Sequence, residues 1–140
     1  MKKLAILLVA SASIGLGAPS AFADPRRDAI LADLMAQAKT ADPAFSAFAA
    51  DRGKAFFLAS QTGGKPDTAS CTACHTKDPK AKGQTRAGKD IAPMAVSKTP
   101  DRFTDGEKIA KWFLRNCTSV LGRECTAAEK GDFITFMSSL

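Results

Sequence analysis

Two thiols and an imidazole lie within five positions of one another: Cys71, Cys74 and His75 form a Cys-x-x-Cys-His pattern. Thiols at this spacing can bond two vinyl carbons of one haem, while the histidine that follows coordinates its iron. His75 is the only histidine in the sequence. The pattern therefore predicts one covalently bound haem c, with His75 as the proximal iron ligand.

Residues 1–23 have the three parts of an export signal. Lys2 and Lys3 precede an apolar run over residues 4–16, and residues 21–23 form a small-x-small cleavage site. The alternative is an uncleaved membrane anchor, which needs about 17–25 apolar residues, whereas this run is shorter and is interrupted by Ser and Gly. We therefore predict a signal peptide, a mature chain that begins at Asp24, and a periplasmic location.

A second pair of cysteines, Cys117 and Cys125, follows the haem pattern. Because the haem would consume the first two thiols, a local disulfide is the natural use of this pair in an exported chain. Zinc is the alternative for the first cluster, with Cys117 or Cys125 as a fourth ligand. Zinc–thiolate sites are more typical of reducing compartments, so haem is favoured.

Composition predicts one globular domain over residues 24–140, because 45% of the residues are hydrophobic and 24% are charged. The formal net charge is +6. Much of the excess lies between residues 77 and 98, a segment that we call the basic loop. It could steer an acidic redox partner to the haem edge, or it could be an ordinary solvated loop. Its basic residues are Lys77, Lys80, Lys82, Arg86, Lys89 and Lys98.

Helical spacing of apolar residues and capping motifs predict an all-α fold, with no convincing strand alternation. Residues 76–100 are rich in Lys, Gly and Pro and predict an irregular loop around a large group. The predicted helices cover residues 24–39, residues 44–60 after an N-cap at Asp42, a segment opened by a capping box at Thr104 and Glu107, and a segment opened by a capping box at Thr126 and Glu129.

The sixth iron ligand decides the function, and the residues alone leave it open. One histidine excludes bis-histidine ligation. The thioethers of residues 24–140 are Met35, Met94 and Met137, each of which could equally be a packing residue. Asn116 is the other candidate because it shares one face of a predicted helix with Ile109, Trp112 and Phe113, although asparagine is also common at helix C-termini.

The two ends of the chain resemble those of class I cytochromes c. Arg52, Gly53 and Phe57 are similar to the N-terminal helix of that fold, and residues 132–136 are similar to its C-terminal helix. The resemblance implies that these two helices cross closely at Gly53 around one covalently bound haem. It also implies that the carbonyl of Pro93 accepts a hydrogen bond from His75.

From Arg52 to Asp132 the chain resembles the monohaem sphaeroides haem protein (SHP) family. This resemblance implies that Asn116 is a ligand of ferric iron that leaves on reduction, that Cys117 and Cys125 form a disulfide, and that a dihaem cytochrome c donates electrons. Met94 departs from the family, where leucine is expected. The similarity is carried by residues 61–68, 91–93, 99–105 and 115–117, by Gly122-Arg123 and by Cys125-Thr126.

Together, these features predict a periplasmic cytochrome that accepts electrons and binds oxygen or nitric oxide at an iron gated by Asn116. Loss of Asn116 from the iron would open a pocket lined by Trp112 and Phe113. A plain electron carrier with His/Met ligation is the alternative. An enzyme that reduces oxygen, nitric oxide or a peroxide has less support, because no second histidine is present to move protons, and enzymatic activity is left open.

Overall fold

Five α-helices order about half of the backbone between residues 23 and 140, the part of the chain that the computed structural model describes. The prediction of an all-α fold is confirmed, with one two-residue antiparallel ladder added to it. Residues 1–22 of the predicted signal peptide lie outside this range. The elements are α1 (Pro25–Ala41), α2 (Ala50–Leu58), a 3-10 turn (Pro66–Thr68), α3 (Thr72–His75), β1 (Gly83–Gln84), β2 (Asp90–Ile91), α4 (Gly106–Leu121) and α5 (Ala127–Ser138).

Helices α2 and α5 cross at a glycine. A Cβ on Gly53 would overlap the carbonyl oxygen of Asp132 and lie 2.8 Å from the Cβ of Phe136. Beside the crossing, Nε of Arg52 donates to Oδ2 of Asp132 at 2.7 Å. Only glycine allows this approach without backbone movement, and the predicted close crossing is therefore confirmed.

The core lies between these helices and the loop that precedes α4. Phe57 is fully buried, and its ring centroid lies 6.0 Å from that of Phe133 in an edge-on arrangement. Phe113 of α4 packs edge-on against the same Phe133 ring at 5.5 Å. Edge-on aromatic pairs contribute about 0.5–1.5 kcal/mol each beyond their buried area. One ring of α5 therefore joins α2 to α4.

Helix α1 packs against α5 through a face that includes a charged residue. Leu34 and Ala38 are buried on α1, and so is Arg27, which is 2% exposed. The Arg27 guanidinium donates to the carbonyl oxygens of Pro100 and Arg102, at 2.6 and 2.9 Å. Hydrogen bonding to both carbonyls offsets the cost of burying this charge.

The predicted start of the second helix is wrong. Instead of capping a helix, the Asp42 carboxylate accepts a hydrogen bond from the Ala44 amide at 2.9 Å and closes a turn. Helix α2 begins later, at Ala50, where Oδ1 of Asp132 accepts the amide of Ala49 at 2.7 Å. A tertiary contact from α5 thus sets this helix start.

One of the two predicted capping boxes is present. Thr126 and Glu129 cap α5 reciprocally, as predicted. Helix α4 is instead capped by Asp105, whose side chain accepts the Lys108 amide at 3.0 Å, while the Thr104 hydroxyl donates to a carbonyl of the preceding turn. The prediction at Thr104 is therefore displaced by one residue.

Candidate functional site

The Cys-x-x-Cys-His residues lie on a single helical turn. The His75 amide donates to the Cys71 carbonyl at 3.1 Å, and Cys71 and Cys74 are free thiols. Strand β1 lies directly against this turn, since a Cβ on Gly83 would overlap the Cys74 carbonyl and lie 3.0 Å from Cα of His75. The turn ends at Thr76, whose φ of 59° is uncommon for a residue with a side chain. Local spacing and a tight backbone contact thus fix the three groups together.

Burial sets the protonation of both kinds of group. It lowers the pKa of His75 to about 4, with a smaller contribution from the Arg102 charge, so the imidazole is neutral at neutral pH. Neutral imidazole is the form that binds metals. Burial raises the pKa of the Cys71 thiol to about 11. Cys71 therefore stays protonated, unlike the low-pKa thiolates of catalytic cysteines.

The Pro93 carbonyl does not accept a hydrogen bond from His75, contrary to the expectation. It instead accepts from the Thr99 hydroxyl at 2.9 Å and from Nε of Arg102 at 3.1 Å. Nδ1 of His75 is buried without a hydrogen-bond partner within residues 23–140. Two donors already occupy the two lone pairs of the carbonyl. Nothing in the sequence around Thr99 or Arg102 indicates this competition.

Asn116 lies on α4 four residues after Trp112, on the same side of the helix, and the polypeptide of residues 23–140 covers neither side chain. Asn116 is exposed, and Trp112 is 48% exposed. The side of α4 that the polypeptide buries is the one that carries Cys117 and Val120. The structure therefore presents Trp112 and Asn116 on a surface and shows no contact between Asn116 and His75.

The C-terminal end of α4 is anchored from two sides. A disulfide joins Cys117 to Cys125, with 5.6 Å between their Cα atoms. From the other side, the Lys65 amide donates to the Ser119 carbonyl at 2.7 Å, and the Thr68 and Ser119 hydroxyls are 2.9 Å apart. The segment that leads into Cys71 is thereby fastened to the helix that carries Asn116.

Glycines make this anchoring possible. A Cβ on Gly64 would overlap the Ser119 carbonyl oxygen, and one on Gly63 would overlap that of Leu121. Gly122 ends α4 with φ of 72°, and its backbone faces Gly63. Thr68 and Ser119 were not among the residues predicted for the site. The adjacent glycines at 63 and 64 are the signal that marks a close backbone approach here.

The methionines differ in their surroundings. Met94 and Met137 are buried in the aromatic core with Phe57, Phe133 and Phe136. The backbone of Met94 is fixed as well, since its amide donates to the Pro79 carbonyl at 2.8 Å. Met35 is half-buried on α1. In this structure, Met94 and Met137 therefore pack in the core, as expected for packing residues.

The zinc alternative does not fit these contacts. The disulfide removes Cys117 and Cys125 as zinc ligands, because a bonded sulfur is not a thiolate. Within residues 23–140, no three His, Cys, Asp or Glu side chains are grouped so as to hold a bare metal ion. Two free thiols and a neutral imidazole fit a group that binds through both sulfurs and one ring nitrogen, as haem c does.

Comparison with known proteins identifies close relatives. Residues 43–137 match the family model described as a domain of unknown function, DUF1924. The cytochrome c-type protein SHP of Cereibacter sphaeroides is 58% identical over 90 residues, which are 64% of this chain and 70% of that protein. The structure of oxidized SHP, described as an oxygen-binding cytochrome c, is 48% identical and aligns with a TM-score of 0.75 over 81% of this chain and 96% of that one.

Cytochrome c'' of Methylophilus methylotrophus is a second relative. It is 34% identical over 101 residues, which are 71% of this chain and 70% of that protein. Its solution structure, described as giving insights into haem-ligand detachment, is 30% identical and aligns with a TM-score of 0.68 over 81% of this chain and 92% of that one. Both similarities thus extend over most of the chain.

Proposed function

This chain belongs to the SHP family of c-type cytochromes, and we propose that it is an exported protein that accepts electrons and binds a small diatomic ligand at an iron gated by Asn116. Its fold is that of the cytochromes c, and its cofactor is haem c. The observation that carries the proposal is the double anchoring of α4 directly after Asn116, by the disulfide and by the segment that leads to Cys71.

Cys71, Cys74 and His75 are the residues proposed to hold the haem, through two thioethers and the proximal imidazole. When bound, haem c supplies an iron that exchanges one electron and offers a position for a diatomic ligand. His75 meets its role because burial keeps the ring neutral. The Gly83 contact behind Cys74 holds this turn in place.

Asn116 is proposed as the ligand on the opposite side in the ferric state. An amide oxygen is a hard, weak and neutral donor, so it suits Fe(III) better than Fe(II). We expect the Asn116 side chain to leave on one-electron reduction, while the anchors at Cys117 and Ser119 keep the helix in place. The relatives described as oxygen-binding and as showing haem-ligand detachment support this behaviour.

The proposed diatomic ligand is oxygen or nitric oxide, next to Trp112 and Phe113. Phe113 is held by its ring contact with Phe133, whereas Trp112 is half-exposed between Lys111 and Arg115. No second imidazole is present to deliver protons, so reversible binding is favoured over reduction of the ligand.

The partner is proposed to be an acidic redox protein, and the family resemblance implies a dihaem cytochrome c. All six basic residues of the basic loop are exposed. Lys82 lies 3.8 Å from Asp90 and Arg86 pairs with Asp67, whereas the other four lysines of this loop form no ion pair within residues 23–140. The excess positive charge that follows α3 favours encounter with a negatively charged surface.

Export to the periplasm is proposed from residues 1–23 and from membership of the cytochromes c. Within residues 23–140, no helix is both long and apolar enough to cross a membrane. A disulfide between Cys117 and Cys125 is consistent with an oxidising compartment.

Visible spectra of the haem-loaded protein in both oxidation states test the proposal. A ferric form with six ligands and no methionine–iron charge-transfer band, together with a high-spin ferrous form, is expected. Exposure of the ferrous protein to carbon monoxide should shift the spectrum at once. A methionine–iron band in the ferric state and a low-spin ferrous form that ignores carbon monoxide would make this chain a His/Met electron carrier.

A further inference from the structure

Two of the three exposed large hydrophobic side chains among the described residues lie on α4. The three are Leu58, Trp112 and Leu114, which are 41%, 48% and 50% exposed. Leu114 lies between Lys111 and Arg115 in sequence, and both of these side chains are exposed as well. At about 3.6 residues per turn, these two cations and the leucine share one side of the helix. We call these three residues the outer face of α4.

Leu114 lies away from the proposed iron-ligand side of the helix. Asn116 follows two residues later, so the two side chains leave α4 roughly 160° apart. Cys117 and Val120 mark the side that is buried against the rest of the polypeptide. Leu114 therefore serves neither the core nor the proposed site. Because a single exposed leucine is ordinary on a protein surface, the charges around it decide what it indicates.

The charges around Leu114 have one sign. Residues 108–123 contain four basic residues and no Asp or Glu. Two of the four pair with carboxylates outside this segment. Lys111 and Arg115 form no ion pair in the part of the chain that the structure describes, although Glu107 precedes Lys111 by one turn. The outer face therefore presents two cations beside an apolar side chain.

Trp112 restrains both cations. Nζ of Lys111 and Cζ of Arg115 lie 5.8 and 5.6 Å from the centroid of its ring. The ring quadrupole attracts a cation at this distance, so both side chains have a preferred position. The disulfide at Cys117 fixes the helix beneath them. A partner that binds here would therefore order few side chains and lose little conformational entropy.

The basic loop lacks an apolar centre of this kind. Its six basic residues are exposed, but none of its large hydrophobic side chains is. Protein interfaces combine a desolvated centre, enriched in aromatic residues and arginine, with a polar rim. The outer face of α4 has both parts, whereas the basic loop has only charge. Charge steers an approaching partner, and burial of apolar area stabilises the contact.

We propose that the outer face of α4 is the contact surface for an acidic electron-transfer protein, with Leu114 at its centre and carboxylates of the partner facing Lys111 and Arg115. One electron passes to the iron of this chain, so the partner is oxidised and this chain is reduced. A second copy of the chain is disfavoured, because a symmetric dimer would bring these cations together. The inference rests on the proposed function, since it specifies where the proposed redox partner binds.

Leucine substitutions test the apolar centre without changing charge. The probe is a reduced dihaem cytochrome c of net negative charge, mixed at increasing concentration with the ferric, haem-loaded protein in a stopped-flow instrument. Leu114→Ala should raise the apparent Kd for the probe by about three- to tenfold. Leu58→Ala is the matched control, because Leu58 is similarly exposed but lies on α2, and its Kd should equal that of the parent. Alanine favours helix, so both variants should fold.

Paired charge variants test the cations with the same probe. Lys111→Gln with Arg115→Gln should lower the second-order rate constant for electron transfer by about three- to tenfold at low ionic strength, and the difference should shrink as salt is added. Lys39→Gln with Lys54→Gln is the matched control, since it removes the same net charge at exposed lysines of α1 and α2. Equal decreases in the two double variants would overturn the inference, because net charge alone would then account for the rate.

The remaining outcomes separate this inference from the proposed function. An unchanged Kd in Leu114→Ala would overturn the contact surface and leave gating by Asn116 unaffected. A haem-loaded parent that accepts no electron from the probe would overturn the class of partner together with the contact surface. A dimer of the parent that Leu114→Ala abolishes, measured by sedimentation, would assign this face to a second copy instead. A parent without covalent haem would overturn the proposed function itself.

Discussion

The two helices proposed to carry the iron ligands are held in different ways. Helix α3 is a single turn, fixed along its whole length by its own hydrogen bonds and by the backbone of Gly83. Helix α4 is fixed at its C-terminal end by a disulfide and by Ser119, while Trp112 and Asn116 remain exposed. The comparison indicates that α3 is fixed over its single turn, whereas α4 is anchored at the end that follows Asn116.

The largest expected effect comes from removing the two thiols that are proposed to bind haem covalently. The double variant Cys71→Ala, Cys74→Ala should mature without any covalently attached haem, because α3 then offers no thiol for attachment. Intact-mass spectrometry of periplasmic protein measures the outcome. The control is Cys117→Ser with Cys125→Ser, which should retain one haem. A haem mass adduct on the Cys71/Cys74 variant would contradict the assignment.

The disulfide variant should also have a thermodynamic effect. Cys117 and Cys125 close a short loop next to Asn116, and the loop-entropy model gives about 2–3 kcal/mol for its loss. Denaturant unfolding of the haem-loaded protein, parent against Cys117→Ser with Cys125→Ser, should show this decrease in the free energy of unfolding. Equal stabilities would mean that α4 is held without the bond.

A smaller loss is expected at the second anchor of α4. Gly64→Ala places a methyl group onto the Ser119 carbonyl and should lower the free energy of unfolding by about 1–3 kcal/mol, as overpacking does. Gly106→Ala is the matched control, because no atom lies within 4 Å of its added Cβ. Thermal unfolding should show a lower midpoint for Gly64→Ala alone. Identical midpoints for the two variants would exclude a tight contact at Gly64.

The smallest expected effect is electrostatic and depends on pH. The hydrogen-bonded Arg123 holds the pKa of Glu129 below its ordinary value of 4.5, with a further contribution from the Thr126 amide. A lowered folded-state pKa means that the stabilisation is present above the unfolded-state pKa and is lost as pH falls through the folded-state pKa. Since the Arg123 side chain is half-exposed and the Glu129 side chain is partly exposed, solvent screens the pair, and it contributes about 1 kcal/mol or less.

Glu129→Gln therefore gives a specific pH signature. The parent should be more stable than the variant at pH about 7, and the difference should shrink as pH falls below about 4. Chemical unfolding at both pH values measures it. Glu124→Gln serves as the control, because Glu124 is a nearby exposed carboxylate outside the capping box. A difference that grows on acidification would contradict the assigned direction.

Several features of the fold and the site were predictable because their sequence signals are local. The spacing of Cys71, Cys74 and His75 fits one helical turn, and Gly53 and Phe57 fall on one helical face whatever the rest of the fold. The Thr126 capping box is also a local signal. These features depend on neighbours within four positions, so the sequence alone contains the information that specifies them.

Contacts between distant segments were not predictable in this way. The start of α2 depends on Asp132, 83 positions after the amide that it accepts. The Pro93 carbonyl accepts a hydrogen bond from Arg102, and the sequence gives no indication that this side chain reaches Pro93. Asn116 shares a face with Trp112, as its spacing predicts, but which face the polypeptide covers is decided by the disulfide and by Val120.

The most direct test of the proposed gate compares Asn116→Ala with Met94→Leu. Both haem-loaded variants should fold, and Asn116→Ala should bind ferric ligands such as azide or cyanide about tenfold faster or more, because no internal ligand must leave first. Met94→Leu should match the parent in its spectra and in its ligand-binding rate, since Met94 packs in the core. An unchanged Asn116→Ala together with a high-spin Met94→Leu would contradict gating by Asn116 and assign the sixth position to methionine.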